Sequence, residues 1–301
     1  MTITAFLLIL CSVFLHVGWN FLCKVNKNPT IAFYVVANLF AAVLLLPLFV
    51  VMKVDWCALD CRFWLAVGSS GFFEAIYSIG LFKAYGRNDI SLAYPMARAL
   101  PVLMIPIVTL LFQIGSIPTG LALVGVVVVA AGCMIMPQSK FSDISWRMLF
   151  TASMVPIAIA ATGTTGYTIM DNMGTARLIE SSSSSRIVTL CAYYCVVLII
   201  MVVFLLIYML VTDWGRVRSE LCVDLKASGA YLCGLFSLLA YLLVLGAMGF
   251  VSNVSYLQAF RQLSLPLGVL AGVYFLKERL TAPKIVGTAM IVIGLVLMVI
   301  K

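Results

Sequence analysis

The amino-acid sequence predicts an all-α polytopic membrane protein whose ten transmembrane helices form two inverted five-helix repeats. The first observation is composition: 64% of the 301 residues are hydrophobic and 10% are charged, against about 45–50% and about 25% in soluble domains. The mean hydropathy of +1.15 indicates that apolar side chains face lipid as well as one another, because a soluble domain needs a polar surface. The other two observations are the spacing of apolar runs and an internal repetition.

Ten apolar runs follow one another along the chain, separated by short polar connectors. A helix needs roughly 20 apolar residues to cross about 30 Å of hydrocarbon, and the runs are of that order. Because lipid offers the backbone no hydrogen bonds, each run is expected to be a helix. The runs cover residues 3–22, 31–52, 63–82, 91–112, 118–136, 149–170, 188–212, 230–248, 253–275 and 284–300.

The second half of the sequence repeats features of the first. Arg98 recurs as Arg261, 163 residues further on. Each half holds five runs, an odd number, so the halves are expected to cross the membrane in opposite directions, as inverted repeats do. The chain therefore divides into a first repeat (1–137), a linker loop (138–148) and a second repeat (149–301).

A pair of glycines two helical turns apart also occurs in both halves. Such pairs let two helices approach closely, so they predict packing contacts and not a binding site. The residues are Gly125 and Gly132 in the first half, and Gly287 and Gly294 in the second.

The positive charge favours a lipid bilayer over nucleic acid as a partner. The 19 Lys and Arg residues give a net charge of +8, but they are scattered between apolar runs and form no basic face. We interpret them as anchors at the lipid headgroups. They are more numerous in the connectors opposite the termini, which by the positive-inside rule places both termini outside the cytoplasm.

The cysteines predict neither a metal site nor a cofactor. Most of the nine lie in apolar runs, where cysteine behaves as a small hydrophobic residue. Cys191 and Cys195 lack the histidine or acidic companions that a metal site needs. Cys57 and Cys61 share a polar connector, and a disulfide between them stays open because sequence does not settle the geometry.

Several segments resemble the EamA-type members of the drug/metabolite transporter superfamily. They are DISLAYPMARALP (89–101), LKERLTAPKIVGTAMIVIG (276–294), HVGWN (16–20) and GYTIMDNMG (166–174). The resemblance covers essentially the whole chain. It implies transport of small solutes by alternating access, frequently export, in the cell (inner) membrane with both termini in the cytoplasm. On orientation it disagrees with the count of Lys and Arg.

The repeated arginines are candidate substrate contacts. An ionisable residue within a span is costly and normally faces the interior of the helix bundle. In an inverted repeat, Arg98 and Arg261 would lie at opposite ends of a central cavity, where their guanidinium groups suit a carboxylate or phosphate. The alternative is that each arginine extends toward its own membrane interface.

Glu74 is a candidate for proton coupling. It lies near the middle of the third run, and Tyr77 follows it on the same helix face. A buried carboxyl whose charge is balanced by its neighbours can take up and release protons. The alternative is a static salt bridge to an arginine.

Further polar side chains follow the helical period in other runs. His16 and Asp171 are additional proton-coupling candidates, although a lone histidine is also typical of hydrogen-bonded packing. Prolines near Arg98 and Arg261 allow kinks. The other candidate substrate contacts are Trp19, Asn20, Tyr94, Tyr167, Gln258 and Gln262.

Together these features predict a secondary transporter of small metabolites, with export of an amino acid or another carboxylate-bearing solute as the leading hypothesis. A proton-coupled exporter of cationic or amphiphilic compounds that uses Glu74 is the alternative. A membrane-embedded enzyme is a weaker third hypothesis, because the spans hold one histidine and no catalytic cluster. The sequence leaves the solute, the coupling ion and a homodimer open.

Overall fold

The structure is a computed structural model, and the residues that it describes are helical. They comprise twelve α-helices and no β-strand. Because apolar segments satisfy their backbone hydrogen bonds locally as helices, an all-α protein is expected, and this part of the predicted fold class is confirmed. The described residues are 2–25, 30–52, 56, 59–87, 90–115, 120–136, 138–143, 154–212, 214–276 and 279–299.

Each apolar run of the sequence is a helix within the described residues. The helices of the first half are α1 (Ile3–Val25), α2 (Ile31–Val51), α3 (Cys61–Arg87), α4 (Ile90–Leu111) and α5 (Gly120–Ile135). Those of the second half are α6 (Met154–Ser181), α7 (Arg186–Thr212), α8 (Trp214–Asp224), α9 (Ser228–Met248), α10 (Val254–Phe260), α11 (Ser264–Leu276) and α12 (Ala282–Val299).

The helices depart from the predicted runs in three places. α6 continues to Ser181, past the predicted end at residue 170, and one face of the added turns, with Asp171, Thr175 and Leu178, is buried within the protein. α8 occupies a connector in which no helix was predicted. The ninth run is interrupted by a 3₁₀ turn, Arg261–Leu263, between α10 and α11.

Four of the helices are long and apolar enough to cross a membrane. They are α2, the segment Cys61–Ala84 of α3, α7 and α9. Their outward faces are apolar: Val50 is 76% exposed, Leu65 69% and Val211 81%. Exposed aliphatic surface of this kind is compatible with lipid contact and unusual for a protein in water.

The helices pack in specific pairs that combine the two halves of the chain. α3 packs against α6, α1 against α9, α2 against α7, and α5 against α12. α4 packs against α5, α6 and α10. Each of the four principal pairs therefore joins one helix of the first half to one of the second.

α5 and α12 approach each other until their backbones touch. A Cβ atom on Gly132 would lie 2.7 Å from the carbonyl oxygen of Gly287, and one on Gly125 would lie 2.6 Å from that of Gly294. The order of these contacts makes the two helices antiparallel. The close packing predicted from the glycine pairs is confirmed.

The connectors hold two further features. Thr30, the N-cap of α2, donates a hydrogen bond of 2.8 Å to Asp224 Oδ2 at the end of α8. Partial burial raises the pKa of the Asp224 carboxyl, and this hydrogen bond opposes the shift. In the predicted linker 138–148, Phe141–Asp143 forms a 3₁₀ turn; residues 144–148 and Cys57 lie outside the described residues.

We predict that Gly132→Ala destabilises the protein. The new methyl group would meet the Gly287 carbonyl oxygen at 2.7 Å, so α5 and α12 must separate, at a cost of about 1–3 kcal/mol in the free energy of unfolding. The measurement is the melting temperature of the purified protein in detergent. Gly68→Ala is the matched control, because a Cβ atom on that helical glycine meets nothing within 4 Å. Equal melting temperatures of the two variants would contradict the prediction.

Candidate functional site

A cavity of about 100 Å³ lies inside the helix bundle. Its walls come from α1, α2, α3, α6, α7 and α9, together with Arg261 of the 3₁₀ turn. A water molecule needs only about 10–15 Å³ of such space, so the cavity has room for a small organic solute. The participation of α2 and α7 was not predicted from the sequence.

Two side chains of opposite charge line this cavity. The Glu74 side chain lies on α3 and is 6% exposed, and Arg261 is 8% exposed. No ion pair within 4.0 Å joins them. Within the described part of the chain, the Glu74 carboxyl accepts no hydrogen bond and pairs with no arginine, so the static salt bridge considered as its alternative role is absent there. A buried charge without such partners is costly and needs an explanation.

Tyrosine rings form a continuous wall beside these charges. Tyr77 and Tyr167 pack edge to face with their centroids 5.9 Å apart. Tyr167 lies 5.7 Å from Tyr241, and Tyr241 lies 4.9 Å from Tyr194. Three further rings line the cavity: Trp19, Phe33 and Tyr34. The lining is therefore aromatic, with polar side chains at a few positions.

Close packing of α3 on α6 brings the first two tyrosines together. A Cβ atom on Gly163 would lie 2.5 Å from the backbone nitrogen of Tyr77. Tyr167 follows Gly163 by one helical turn, so it reaches the same side of the contact. The glycine thus determines how near the two rings stand.

The interruption between α10 and α11 directs Arg261 into the cavity. Pro266 has no N–H, so the Gln262 carbonyl loses its helical donor at this point. The neighbouring Arg261 carbonyl oxygen accepts hydrogen bonds from the Ser264 backbone N–H, from Ser264 Oγ at 2.9 Å and from Arg98 Nη2 at 3.0 Å. The Arg261 guanidinium donates to Gln258 Oε1 at 3.2 Å and lies 5.6 Å from the centroid of the Tyr241 ring.

Arg98 has a different environment from its counterpart. Its Nε donates to Gln262 Oε1 at 3.0 Å and its Nη2 to the Arg261 carbonyl, and its Nη1 contacts His16 Nε2. The described cavity lining does not include it. The sequence analysis placed the two arginines at opposite ends of a cavity, whereas the structure brings them into direct contact.

His16 lies between an indole and a guanidinium group. The Trp19 indole Nε1 donates to His16 Nδ1 at 2.9 Å, and Arg98 Nη1 contacts Nε2. A neutral imidazole has one acceptor nitrogen, so acceptance at Nδ1 leaves the proton of the neutral ring on Nε2. His16 therefore joins α1 to Arg98 at the margin of the cavity, as the packing alternative for this histidine describes.

Asp171 is fully buried and binds hydroxyl groups from three other helices. Its Oδ1 accepts from Ser70 on α3 and from Tyr193 on α7 at 2.9 Å, and its Oδ2 accepts from Tyr241 on α9. Its side chain does not line the cavity. Asp171 instead fixes the orientation of Tyr241, whose ring lies beneath the Arg261 guanidinium.

Some residues of this site were predicted from the sequence and others were not. Gln258 and Gln262 lie beside the cavity as acceptors for Arg261 and Arg98. Tyr94 and Asn20 lie on α4 and α1, but their side chains are outside the described set. The missed residues are Tyr34, Asn38, Ser70, Tyr193, Tyr194 and Tyr241. A signal was present, because a tyrosine within an apolar run needs a partner for its hydroxyl.

The described residues contain no group of three or more His, Cys, Asp or Glu side chains arranged to hold a metal ion.

The likeness of this chain to known proteins lies in its fold. No protein-family model matches the sequence, and no curated protein matches it. A solved crystal structure shares the fold with a TM-score of 0.62, covering 98% of this chain and 97% of the other, at 14% sequence identity. At that identity the match shows a common architecture and carries no function.

We predict that Tyr193→Phe destabilises the protein through Asp171. The variant keeps the ring but removes one of the three hydroxyl donors, and hydrogen bonds between membrane helices contribute about 0.6–1.7 kcal/mol. Asp171→Ala should cost more, because three buried hydroxyls then lose their acceptor. Thermal unfolding in detergent measures both effects.

Tyr208→Phe is the control for this pair of variants. It removes a hydroxyl from the same helix, and that hydroxyl makes no hydrogen bond to the described residues, while its ring still faces Lys83. If Tyr193→Phe and Tyr208→Phe unfold at the same temperature, the Tyr193 hydroxyl does not support Asp171.

Proposed function

We propose that the protein is a secondary transporter of small organic solutes that works by alternating access. The observation that carries this proposal is the cavity within a bundle of apolar helices, where Arg261 and Glu74 face the same space without pairing. Unpaired intramembrane charges mark solute or ion pathways. A carboxylate-bearing solute bound by Arg261 is the leading substrate class.

An inverted repeat of five plus five spans is part of the proposal, and the helix pairing supports it. In such a repeat α1 corresponds to α6, α2 to α7, α3 to α9, and α5 to α12. If each helix is replaced by its counterpart in the other half, the α3–α6 pair becomes the α9–α1 pair. The α2–α7 and α5–α12 pairs each map onto themselves. All of these pairs are present. In transporters of this design the substrate site lies where the repeats meet.

The interrupted ninth run gives further support. Transporters often build substrate sites from discontinuous helices, because a break frees backbone groups and presents side chains at the membrane midplane. The turn Arg261–Leu263 is such a break, and its first residue lines the cavity. In this proposal Arg261 binds the solute, and Arg98 supports the turn by its hydrogen bonds.

A second candidate function is the export of cationic or amphiphilic compounds coupled to protons at Glu74. It is favoured by the position of that carboxyl beside the tyrosine wall, since rings and a carboxylate suit an organic cation. Of the three proton-coupling candidates we assign the exchange to Glu74. His16 and Asp171 have their polar atoms occupied by neighbouring side chains.

The hydroxyl groups of the cavity favour a carrier over an enzyme. Ser12 Oγ donates to the Ala240 carbonyl at 2.7 Å, and Ser78 Oγ donates to the Glu74 carbonyl at 3.0 Å. An activated serine requires a side-chain base within hydrogen-bond reach. Neither of these hydroxyls is oriented toward such a base.

We place the protein among carriers of the drug/metabolite transporter type, in the cell inner membrane with both termini in the cytoplasm. A green fluorescent protein fused after residue 301 is then expected to fluoresce, because it folds in the bacterial cytoplasm and not in the periplasm. A periplasmic alkaline phosphatase reporter at the same position is expected to be inactive. An active phosphatase fusion with a dark fluorescent fusion would reverse the orientation.

We predict that Arg261→Gln abolishes carboxylate-dependent transport. A thermal-shift screen of amino acids, organic acids and nucleotides identifies the solute that stabilises the purified protein, and proteoliposome flux of that solute is then measured. Loss of the charged hydrogen bonds should weaken binding by about tenfold or more. Arg98→Gln should lower the melting temperature more than Arg261→Gln does, because its three recorded contacts join separate helices.

Lys83→Gln is the control for charge alone, because Lys83 lies outside the cavity above the ring of Tyr208. Its flux should equal that of the unaltered protein. Unchanged flux in the Arg261→Gln variant would remove Arg261 from the mechanism.

A further inference from the structure

We infer that the solute is a small zwitterion, with a carboxylate that binds Arg261 and an alkylated ammonium group that binds between Glu74 and the tyrosine rings. This inference rests on the proposed function and specifies its substrate. The two substrate hypotheses, an organic anion at Arg261 and an organic cation at Glu74, then describe two ends of one molecule.

The charged side chains of the cavity indicate that the solute carries both a positive and a negative charge. Arg261 and Glu74 are both largely buried, line one cavity and do not form an ion pair. A plain carboxylate would satisfy Arg261 but would add a second negative charge beside Glu74. A plain cation would leave Arg261 uncompensated. Because a buried charge needs an opposite partner, an occupant that carries both charges is the one that satisfies both side chains.

The aromatic walls of the cavity indicate that the ammonium group of the solute is alkylated. A primary ammonium group presents three N–H donors and requires three acceptors. Glu74 is the one carboxylate among the described lining residues; Asn38, Ser78 and Ser237 add neutral oxygen atoms, and Tyr77 and Tyr194 add aromatic rings. An alkylated ammonium has few or no N–H groups, and its charge is attracted to aromatic faces. The tyrosine wall therefore favours an alkylated nitrogen over a primary amine.

The size of the cavity indicates that the solute is short. A volume of about 100 Å³ restricts the occupant to a short skeleton between its two charges. The Tyr241 ring also lies beside the Arg261 guanidinium, and its hydroxyl is held by Asp171. The cationic end of the solute is thus directed toward Glu74 and the remaining rings.

The test is a series of ligands with matched skeletons and stepwise changes of charge. Binding of acetate, tetramethylammonium, glycine, sarcosine, N,N-dimethylglycine and glycine betaine to the purified full-length protein is measured by isothermal titration calorimetry. We expect affinity to rise with each methyl group, so that betaine binds about tenfold more tightly than glycine. Acetate and tetramethylammonium should bind far more weakly than betaine.

Two variants assign the ends of the ligand. Glu74→Gln should weaken betaine binding and leave acetate binding unchanged or stronger, because a neutral amide no longer repels the carboxylate. Arg261→Gln should weaken acetate and betaine alike. Tyr208→Phe, which lies outside the cavity, should leave the whole series unchanged. The wild-type series stands by itself if a variant fails to fold.

The outcomes separate this inference from the proposed function. Three results would overturn the inference: acetate binds as tightly as betaine, glycine binds more tightly than betaine, or no zwitterion of the series binds. In each case the proposed function could still hold, because transport of another solute could be measured in proteoliposomes. Betaine binding that depends on Glu74 and Arg261 supports the inference even if proteoliposomes show no flux, which would instead count against the transporter.

Discussion

A polar side chain that is buried among apolar helices has no water to bond to, so a partner inside the protein stabilises it. The structure is organised around this constraint. Asp171 collects hydroxyl groups from three other helices, and Arg98 connects α1, α4 and the 3₁₀ turn. These two groups of contacts surround the cavity, and they bring Tyr241 and Arg261 into its walls. Burial of each of these polar residues alone would cost free energy, but together they form hydrogen-bonded groups that position the residues of the site.

The two arginines show how a repeated sequence can acquire two roles. Arg98 and Arg261 occupy equivalent positions in the halves, but α4 is continuous there while α10 ends just before Arg261. In the 3₁₀ turn the backbone carbonyl of Arg261 accepts a hydrogen bond from the Ser264 N–H and also one from Arg98. Arg98 therefore stabilises the turn, whereas the guanidinium of Arg261 lies in the cavity wall. Prolines alone do not explain this difference, because Pro101 also follows Arg98 within the continuous helix α4.

Hydropathy located the apolar helices, because a long apolar run that must satisfy its own backbone hydrogen bonds has few alternatives to an α-helix, but it gave no sign of the polar helix α8. It failed where polar residues are buried by tertiary contacts, as in the last turns of α6. Glu74, Tyr77, Tyr167 and Arg261 were found because each is costly or periodic within its own run. Tyr193, Tyr194 and Tyr241 were missed because their significance comes from neighbours on other helices. Likewise, the contact between Arg98 and Arg261 depends on a helix break that no single run reveals.

The seam between α5 and α12 has a consequence for how substrate range can change. Backbone meets backbone at Gly125, Gly132, Gly287 and Gly294, so this junction depends on the absence of side chains. None of the described cavity residues belongs to either helix. Substitutions in the cavity wall therefore leave this attachment between the two halves undisturbed. In the transporter proposed above, point changes in the wall could alter the solute without loosening the α5–α12 contact.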